Sequence, residues 1–176
     1  RKFPLYDPKI FHDACGTGFI VSKSGQPDKR ILSLALKSLK KLSHRGAASS
    51  DNKSGDGSGI MTDLPVKFFK LILKNTFNIK LSSKSKIAVG MVFTTSYEKK
   101  WIEGIFRKEV KRFGMNFLVS RDVPVNEKVL GKSAYNTKPT IVQFIISSEI
   151  SKAKLEHNLF LLRKIIQKHI FTLKKK

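Results

Sequence analysis

The chain has 176 residues, of which 40% are hydrophobic, and this is enough for one globular domain with a substantial core. Its 35 Lys and Arg residues outnumber 13 Asp and Glu residues, giving a formal net charge of +22, but the lysines are scattered and arginine is scarce, so we expect no nucleic-acid partner. A single cysteine excludes an internal disulfide framework, and no run approaches the roughly 20 apolar residues of a membrane span, so we expect a cytoplasmic protein without a membrane partner.

In the first half of the chain, apolar spacing predicts a strand, a helix, a loop and a second helix. Residues 15–22 form the expected strand, which ends at the Ser24-Gly25 turn signal. Asp28 is a plausible N-cap for a helix to about Ser43, with an apolar face of Ile31, Leu34, Ala35, Leu39 and Leu42. Residues 44–59 form a polar, glycine-rich loop, and Pro65 starts the next helix.

In the second half, strands and helices again follow one another without an internal repeat. Strands are expected at 87–94, 116–119 and 140–147, and helices at 97–113 and 155–170. The inward face of the first of these helices is predicted to be Trp101, Ile105, Phe106 and Val110. Ile170 to Leu173 looks like the beginning of another strand, and we therefore expect the chain to be truncated at the C-terminal end of its domain. The pattern supports a mixed α and β fold.

Several motifs occur in an order that resembles one known family. They are Leu5-Tyr6-Asp7-Pro8, Asp13-Ala14-Cys15-Gly16, His44-Arg45-Gly46-Ala47 and Gly55-Asp56-Gly57-Ser58-Gly59-Ile60. Together they look like the start of the glutamate synthase large chain, which is a class II glutamine amidotransferase domain of the N-terminal-nucleophile (Ntn) hydrolases. The resemblance continues through residues 121–126, 129–131 and 141–146, so it covers nearly the whole chain.

The resemblance implies an α+β fold, the four-layer αββα sandwich of Ntn hydrolases. It also implies that Cys15 is the catalytic nucleophile, with its own free α-amino group as the base. Residues 1–14 would then be a propeptide or upstream segment, removed between Ala14 and Cys15, and residues 15–176 the N-terminal part of the amidotransferase domain. The implied reaction is hydrolysis of glutamine to glutamate and ammonia.

Other site residues follow from the same motifs. Arg45 is assigned to glutamine binding and to support of the cysteine, while His44, Gly46 and Asp56 are expected to support the site structurally. The family's Asn-Gly oxyanion-hole pair is expected beyond residue 176. The resemblance further implies a synthase domain in the same long chain, FMN and an iron-sulfur cluster in the complete enzyme, and a small electron-transfer subunit or ferredoxin as a partner. The sequence leaves open whether NADPH, NADH or ferredoxin supplies the electrons.

Residue types and spacing argue against other kinds of site in this chain, while two competing functions stay open. Residues 55–59 lack the spacing of a nucleotide-binding loop, and a calcium loop from Asp51 fails because Lys53 occupies a ligand position. No cofactor or metal site is expected within this chain, and His157 and His169 are interpreted as surface or packing residues. The competing functions are a non-catalytic scaffold with the same fold and a basic nucleic-acid-binding module.

Overall fold

A computed structural model describes residues 16–42, 49–51, 53–55 and 57–173. The chain divides into two compact units. The first comprises the described residues up to Met61 together with Glu127–Thr137, and the second comprises Thr62–Asn126 and the described residues from Lys138 onward. Helices and strands are both present, so the predicted α+β class is confirmed.

The first unit contains α1 (Lys29–Lys41), a 3-10 helix (Glu127–Val129) and α4 (Lys132–Thr137). The predicted N-cap of α1 is confirmed, because the Asp28 carboxylate accepts a hydrogen bond from the Arg30 N–H at 2.8 Å. The predicted strand at residues 15–22 is wrong for its described part, residues 16–22, which adopt no strand. Phe19 and Val21 lie exposed there, and an alternating sequence becomes a strand only when a neighbouring backbone pairs with it.

The second unit is built on a three-stranded antiparallel sheet in the order β1-β3-β2. Its strands are β1 (Lys86–Thr94), β2 (Asn116–Asp122) and β3 (Thr140–Ser148). The last strand in sequence is therefore central, with Lys86 opposite Ser148 on one side and Asn116 opposite Ser147 on the other. A bulge between Phe117 and Val119 shifts the register of β2.

The two faces of this sheet bury separate apolar clusters, because neighbouring residues of a strand point to opposite sides. Helices α3 (Lys99–Arg112) and α5 (Lys152–Leu173) cover one face, and α2 (Val66–Phe77) covers part of the other. The first cluster is centred on Val142, Phe144 and Ile146, with Phe106, Val110 and Leu162 from the helices. The second joins Phe69 and Leu73 to Ile87 and Ile145.

Two further predictions about the helices need correction. In α3 the buried stripe is Ile102, Phe106 and Val110, at four-residue spacing, whereas Trp101 remains 38% exposed. The strand expected at Ile170 is wrong, because α5 continues to Leu173. Leu155, Leu162 and Ile166 are buried and Ile170 packs beside them, so the helical stripe simply extends through that residue.

Candidate functional site

Among the described residues that follow α1 in the first unit, Ser49, Asp51, Lys53 and Ser54 form a tightly hydrogen-bonded turn. One oxygen of the Asp51 carboxylate accepts hydrogen bonds from the Lys53 N–H at 3.0 Å and the Ser54 N–H at 2.7 Å. The other oxygen accepts from the Ser54 hydroxyl at 2.7 Å. The Ser49 N–H donates to the Ser54 carbonyl at 2.7 Å and closes the turn. An aspartate that accepts from the backbone two and three residues later fixes the local path of the chain.

This turn is held against the start of α4 in the same unit. The Ala134 N–H donates to the Ser54 hydroxyl oxygen at 3.2 Å, so that hydroxyl both donates and accepts. Ser54 is 7% exposed, and Gly131 is buried directly against it. A Cβ on Gly131 would overlap Asp51 Oδ2 and Ser54 Oγ and would lie 2.6 Å from the Ser54 nitrogen. Only glycine fits there. We call Asp51, Ser54 and Gly131 the loop anchor.

The electrostatics of the loop anchor favour the ionised carboxylate. The pKa of the Asp51 carboxyl lies well below its usual range, because four groups donate hydrogen bonds to the carboxylate. The Ser54 N–H has the largest effect, then the Lys53 N–H and the Ser54 hydroxyl, and the Ser133 N–H contributes in the same direction. Partial desolvation opposes this shift but is the weaker effect. Asp51 is therefore fully charged at neutral pH and acts only as an acceptor.

The predicted site residues lie outside the described residues. These are Cys15, His44, Arg45, Gly46 and Asp56. Two residues of the loop anchor, Asp51 and Ser54, lie between Arg45 and Asp56 in the sequence. The assigned roles of these five residues therefore stay predictions.

Two residues of the segment 121–126, which contributes to the family resemblance, make contacts within the second unit. The Arg121 guanidinium donates to the Gln143 side-chain oxygen across β2 and β3. Asp122 pairs with Lys99 of α3 at 2.6 Å. These contacts tie strands and helix together and assign neither residue a chemical role.

The described part of the chain offers few features of other functional sites. A surface depression of about 310 Å³ in the second unit is lined by Lys70, Lys74, Ile79, Lys80 and Leu81, none of which carries a predicted role. The described residues contain no group of three or more His, Cys, Asp or Glu side chains arranged to hold a metal ion. None of the helices described is both long enough and apolar enough to cross a bilayer. The His169 side chain is 41% exposed and lies 3.9 Å from the buried Glu109, in keeping with its interpretation as a surface or packing residue.

Comparison with known proteins decides the family. A model of the class-II glutamine amidotransferases matches residues 15–176. The chain belongs to this family. The chain is 41% identical over 159 residues to the ferredoxin-dependent glutamate synthase of Pyropia yezoensis, in an alignment that covers 90% of the chain and 10% of that relative.

Two further relatives show similar identity and coverage. The large chain of the NADPH glutamate synthase of Azospirillum brasilense is 35% identical over 170 residues, covering 94% of this chain and 11% of that relative. The NADH glutamate synthase of Saccharomyces cerevisiae is 36% identical over 176 residues, covering 93% of this chain and 8% of that relative. The chain thus spans about a tenth of the length of the curated relatives it matches.

The loop anchor is not predicted by the sequence motifs. In the sequence, Asp51 is a candidate only for the start of a calcium loop, and Leu130-Gly131 only contributes to the family resemblance. The Asp-x-x-Ser spacing is a usable signal for the turn, since aspartate commonly accepts from nearby backbone N–H groups. The contact with Gly131 leaves no comparable signal, because it joins segments far apart in the sequence.

Proposed function

We propose that this chain is the glutaminase portion of a glutamate synthase and that it hydrolyses glutamine with Cys15 as an N-terminal nucleophile. The observation that carries the proposal is that the family match begins at residue 15, which is the only cysteine in the chain. A mature chain beginning at Cys15 has a thiol and a free α-amino group on the same residue. The pKa of such an amine lies near 8, so it is partly unprotonated at neutral pH.

In the proposed mechanism, the α-amino group of Cys15 takes the thiol proton, and the sulfur attacks the side-chain amide carbon of glutamine. The carbon–nitrogen bond breaks as the nitrogen receives that proton, and ammonia leaves. Water then adds to the thioester, breaks the carbon–sulfur bond and releases glutamate, which restores the thiol. If residues 1–14 remained attached, the Cys15 nitrogen would be an amide and could not serve as the base.

The surrounding residues are assigned supporting roles in this proposal. Arg45 binds the glutamine and supports the cysteine, since a guanidinium offers several fixed donors to an anionic or carbonyl group. His44 and Gly46 hold the local backbone, and Asp56 accepts hydrogen bonds in the glycine-rich turn. The proposal includes the four-layer αββα sandwich of Ntn hydrolases. The observed sheet and its helices would form part of that sandwich.

The proposal extends to the complete enzyme in outline. Ammonia passes to a synthase domain of the same long chain, where 2-oxoglutarate becomes glutamate with FMN, an iron-sulfur cluster and electrons from ferredoxin or a small electron-transfer subunit. One cysteine does not fit an iron-sulfur cluster, which is held by several thiolates. No step assigned to this chain therefore passes through either cofactor.

The test compares glutamine with free ammonia as the nitrogen source for the complete enzyme. Cys15→Ser should lower glutamine-dependent glutamate formation by at least about a hundredfold, because the thiol is lost. Ammonia-dependent formation should stay within about twofold, since ammonia bypasses the thiol. Ser33→Ala, at an exposed position of α1, is the control and should leave both activities unchanged.

Processing supplies a second arm of the experiment. An enzyme that begins at Cys15, verified by intact mass, should hydrolyse glutamine, while one that retains residues 1–14 should not. Equal glutaminase turnover by the two forms would contradict the amine as base. Equal loss of both activities in Cys15→Ser would instead mean that the residue is structural.

A further inference from the structure

A surface depression beside α2 brings three lysines together in the second unit. It is lined by Lys70 and Lys74 of α2 and by Ile79, Lys80 and Leu81, and its volume is about 310 Å³. The three lysines are exposed, whereas Ile79 and Leu81 are half-buried and pack against the smaller apolar cluster of the sheet. We call these five residues the lysine depression. It combines cationic groups at the surface with an apolar base.

The backbone that carries the lysine depression is fixed on both sides. Helix α2 is held to the sheet by Phe69 and Leu73, which are buried. The helix ends at Phe77, and Asn78 takes a left-handed conformation with a φ of 54°. The Ile79 N–H then donates to the Leu73 carbonyl at 2.8 Å and closes the helix end. The three lysine side chains therefore begin from a rigid scaffold, and only their own rotamers are free.

The positive charge of the lysine depression is not balanced by its surroundings. Residues 64–97 contain six lysines and no Asp or Glu. Among the residues that the structure describes, the side chains of Lys70, Lys74 and Lys80 make no hydrogen bond or ion pair. Lys70 and Lys74 are four residues apart on one helix face, where like charges destabilise a helix. A bound anion would remove this repulsion.

The chemistry of the lysine depression selects an acidic polypeptide segment. Lysine ammonium groups only donate, so the complementary groups are anionic oxygens, and Ile79 and Leu81 add an apolar contact that a neighbouring side chain of the segment can cover. Exposed ion pairs are individually weak, so a free peptide would bind with a Kd on the order of millimolar or weaker. A segment of the same chain acts at an effective concentration of about millimolar, which compensates for weak contacts.

We propose that the lysine depression binds an acidic segment of the same polypeptide that lies outside residues 1–176. The chain spans about a tenth of the length of its curated relatives, so the complete chain has ample length to supply such a segment. The inference rests on the proposed function only in taking this chain as a portion of a longer one. It assigns the lysines no part in glutamine hydrolysis.

The test is zero-length cross-linking of the complete enzyme with a carbodiimide, which joins a lysine amine to a carboxylate in direct contact. Peptide mapping should show links from Lys70, Lys74 or Lys80 to Asp or Glu outside residues 1–176 at about 0.1 M salt. At about 1 M salt, where the Debye length falls from about 10 Å to about 3 Å, these links should be at least about fivefold fewer. In a mixture of normal and isotopically heavy enzyme, each link should join peptides of one isotopic composition.

Lys164 and Lys168 provide the matched control, because they are a second pair of exposed lysines four residues apart, on α5. At about 0.1 M salt, Lys70 and Lys74 should be acetylated at least about threefold more slowly than the control pair, and at about 1 M salt the rates should converge. Reversing the charge of both residues, Lys70→Glu with Lys74→Glu, should abolish the protection of Lys80. The same reversal at Lys164 and Lys168 should leave that protection unchanged.

The outcomes separate this inference from the proposed function. Links only to carboxylates within residues 1–176, to another copy or to a separate protein overturn the inference, and so do equal acetylation rates of the two lysine pairs. Protection that is lost on dialysis, without any link, identifies a small free anion and also overturns it. These results leave the outcome of Cys15→Ser unchanged. Full glutamine use by Cys15→Ser would overturn the proposed function and leave the cross-links in place.

Discussion

Phe144 lies at the centre of the larger apolar cluster, and truncating it gives the most direct test of the sheet and its packing. Its side chain is fully buried on β3, and its ring centroid lies 4.7 Å from that of Phe106 and 5.7 Å from that of Phe117. Phe144→Ala removes a ring from a closed site and leaves a cavity among the remaining rings. We expect the free energy of unfolding to fall by about 3–5 kcal/mol.

The loss can be measured by urea unfolding, followed through the fluorescence of Trp101, the single tryptophan of the chain. With a denaturant slope of about 2 kcal/mol per molar urea, the midpoint should fall by about 1.5–2.5 M. Phe144→Leu keeps most of the volume and should cost about 1–1.5 kcal/mol, so it provides a measurable transition if the alanine variant is unfolded in buffer.

Phe160→Ala is the matched control, because Phe160 lies on α5 and is 53% exposed. The same change of residue type there should cost no more than about 1 kcal/mol. Equal midpoint shifts for Phe144→Ala and Phe160→Ala would refute the reasoning, because the cost is attributed to burial among the rings and not to the loss of a phenylalanine as such.

Three other predictions concern a strand glycine, a carboxylate and the proposed binding residue. Gly90→Ala places a Cβ 3.0 Å from the Phe106 ring, so its urea midpoint should fall by about 0.5–1 M, whereas Gly104→Ala in α3 should be neutral or slightly stabilising. The Asp51 pKa is lower in the folded state than in the unfolded chain, so its contribution to stability is present at neutral pH and lost as the pH falls below about 4. The difference in urea midpoint between wild type and Asp51→Asn should therefore shrink from pH 7 to pH 3, and a constant difference would contradict this assignment. Arg45→Ala should raise KM for glutamine by at least about tenfold in steady-state assays while ammonia-dependent synthesis is retained, and an unchanged KM would remove Arg45 from the binding site.

Local signals predicted most of the helices and strands of the second unit. The apolar stripe of α5, and in the first unit the Asp28 cap of α1, depend on residues a few positions apart, which the sequence displays directly. On α3 the predicted burial of Phe106 and Val110 is confirmed, but Ile102 is buried in place of Trp101, since both are apolar and only the packed sheet selects between them. The strand at 16–22 failed for a related reason, because pairing partners are not encoded in the strand itself.

Only part of the candidate site can be predicted from the sequence. Cys15, Arg45 and Asp56 can be selected as candidates because each lies in a short recognisable motif. The loop anchor depends on a hydrogen bond between residues 80 positions apart, from Ala134 to Ser54, together with a steric fit at Gly131. Neither is visible in a single sequence, since nothing local to Gly131 indicates which distant atoms approach it.

The central place of β3 has a consequence for synthesis on the ribosome. β1 and β2 do not pair with each other, so no part of this sheet closes until the strand beginning at Thr140 has been made. At ordinary translation rates, β1 waits roughly 3 to 11 s between its own completion and that of β3. During that interval, the nascent β1 and β2 segments expose unpaired backbone and apolar side chains, and they are open to capture by chaperones or to aggregation.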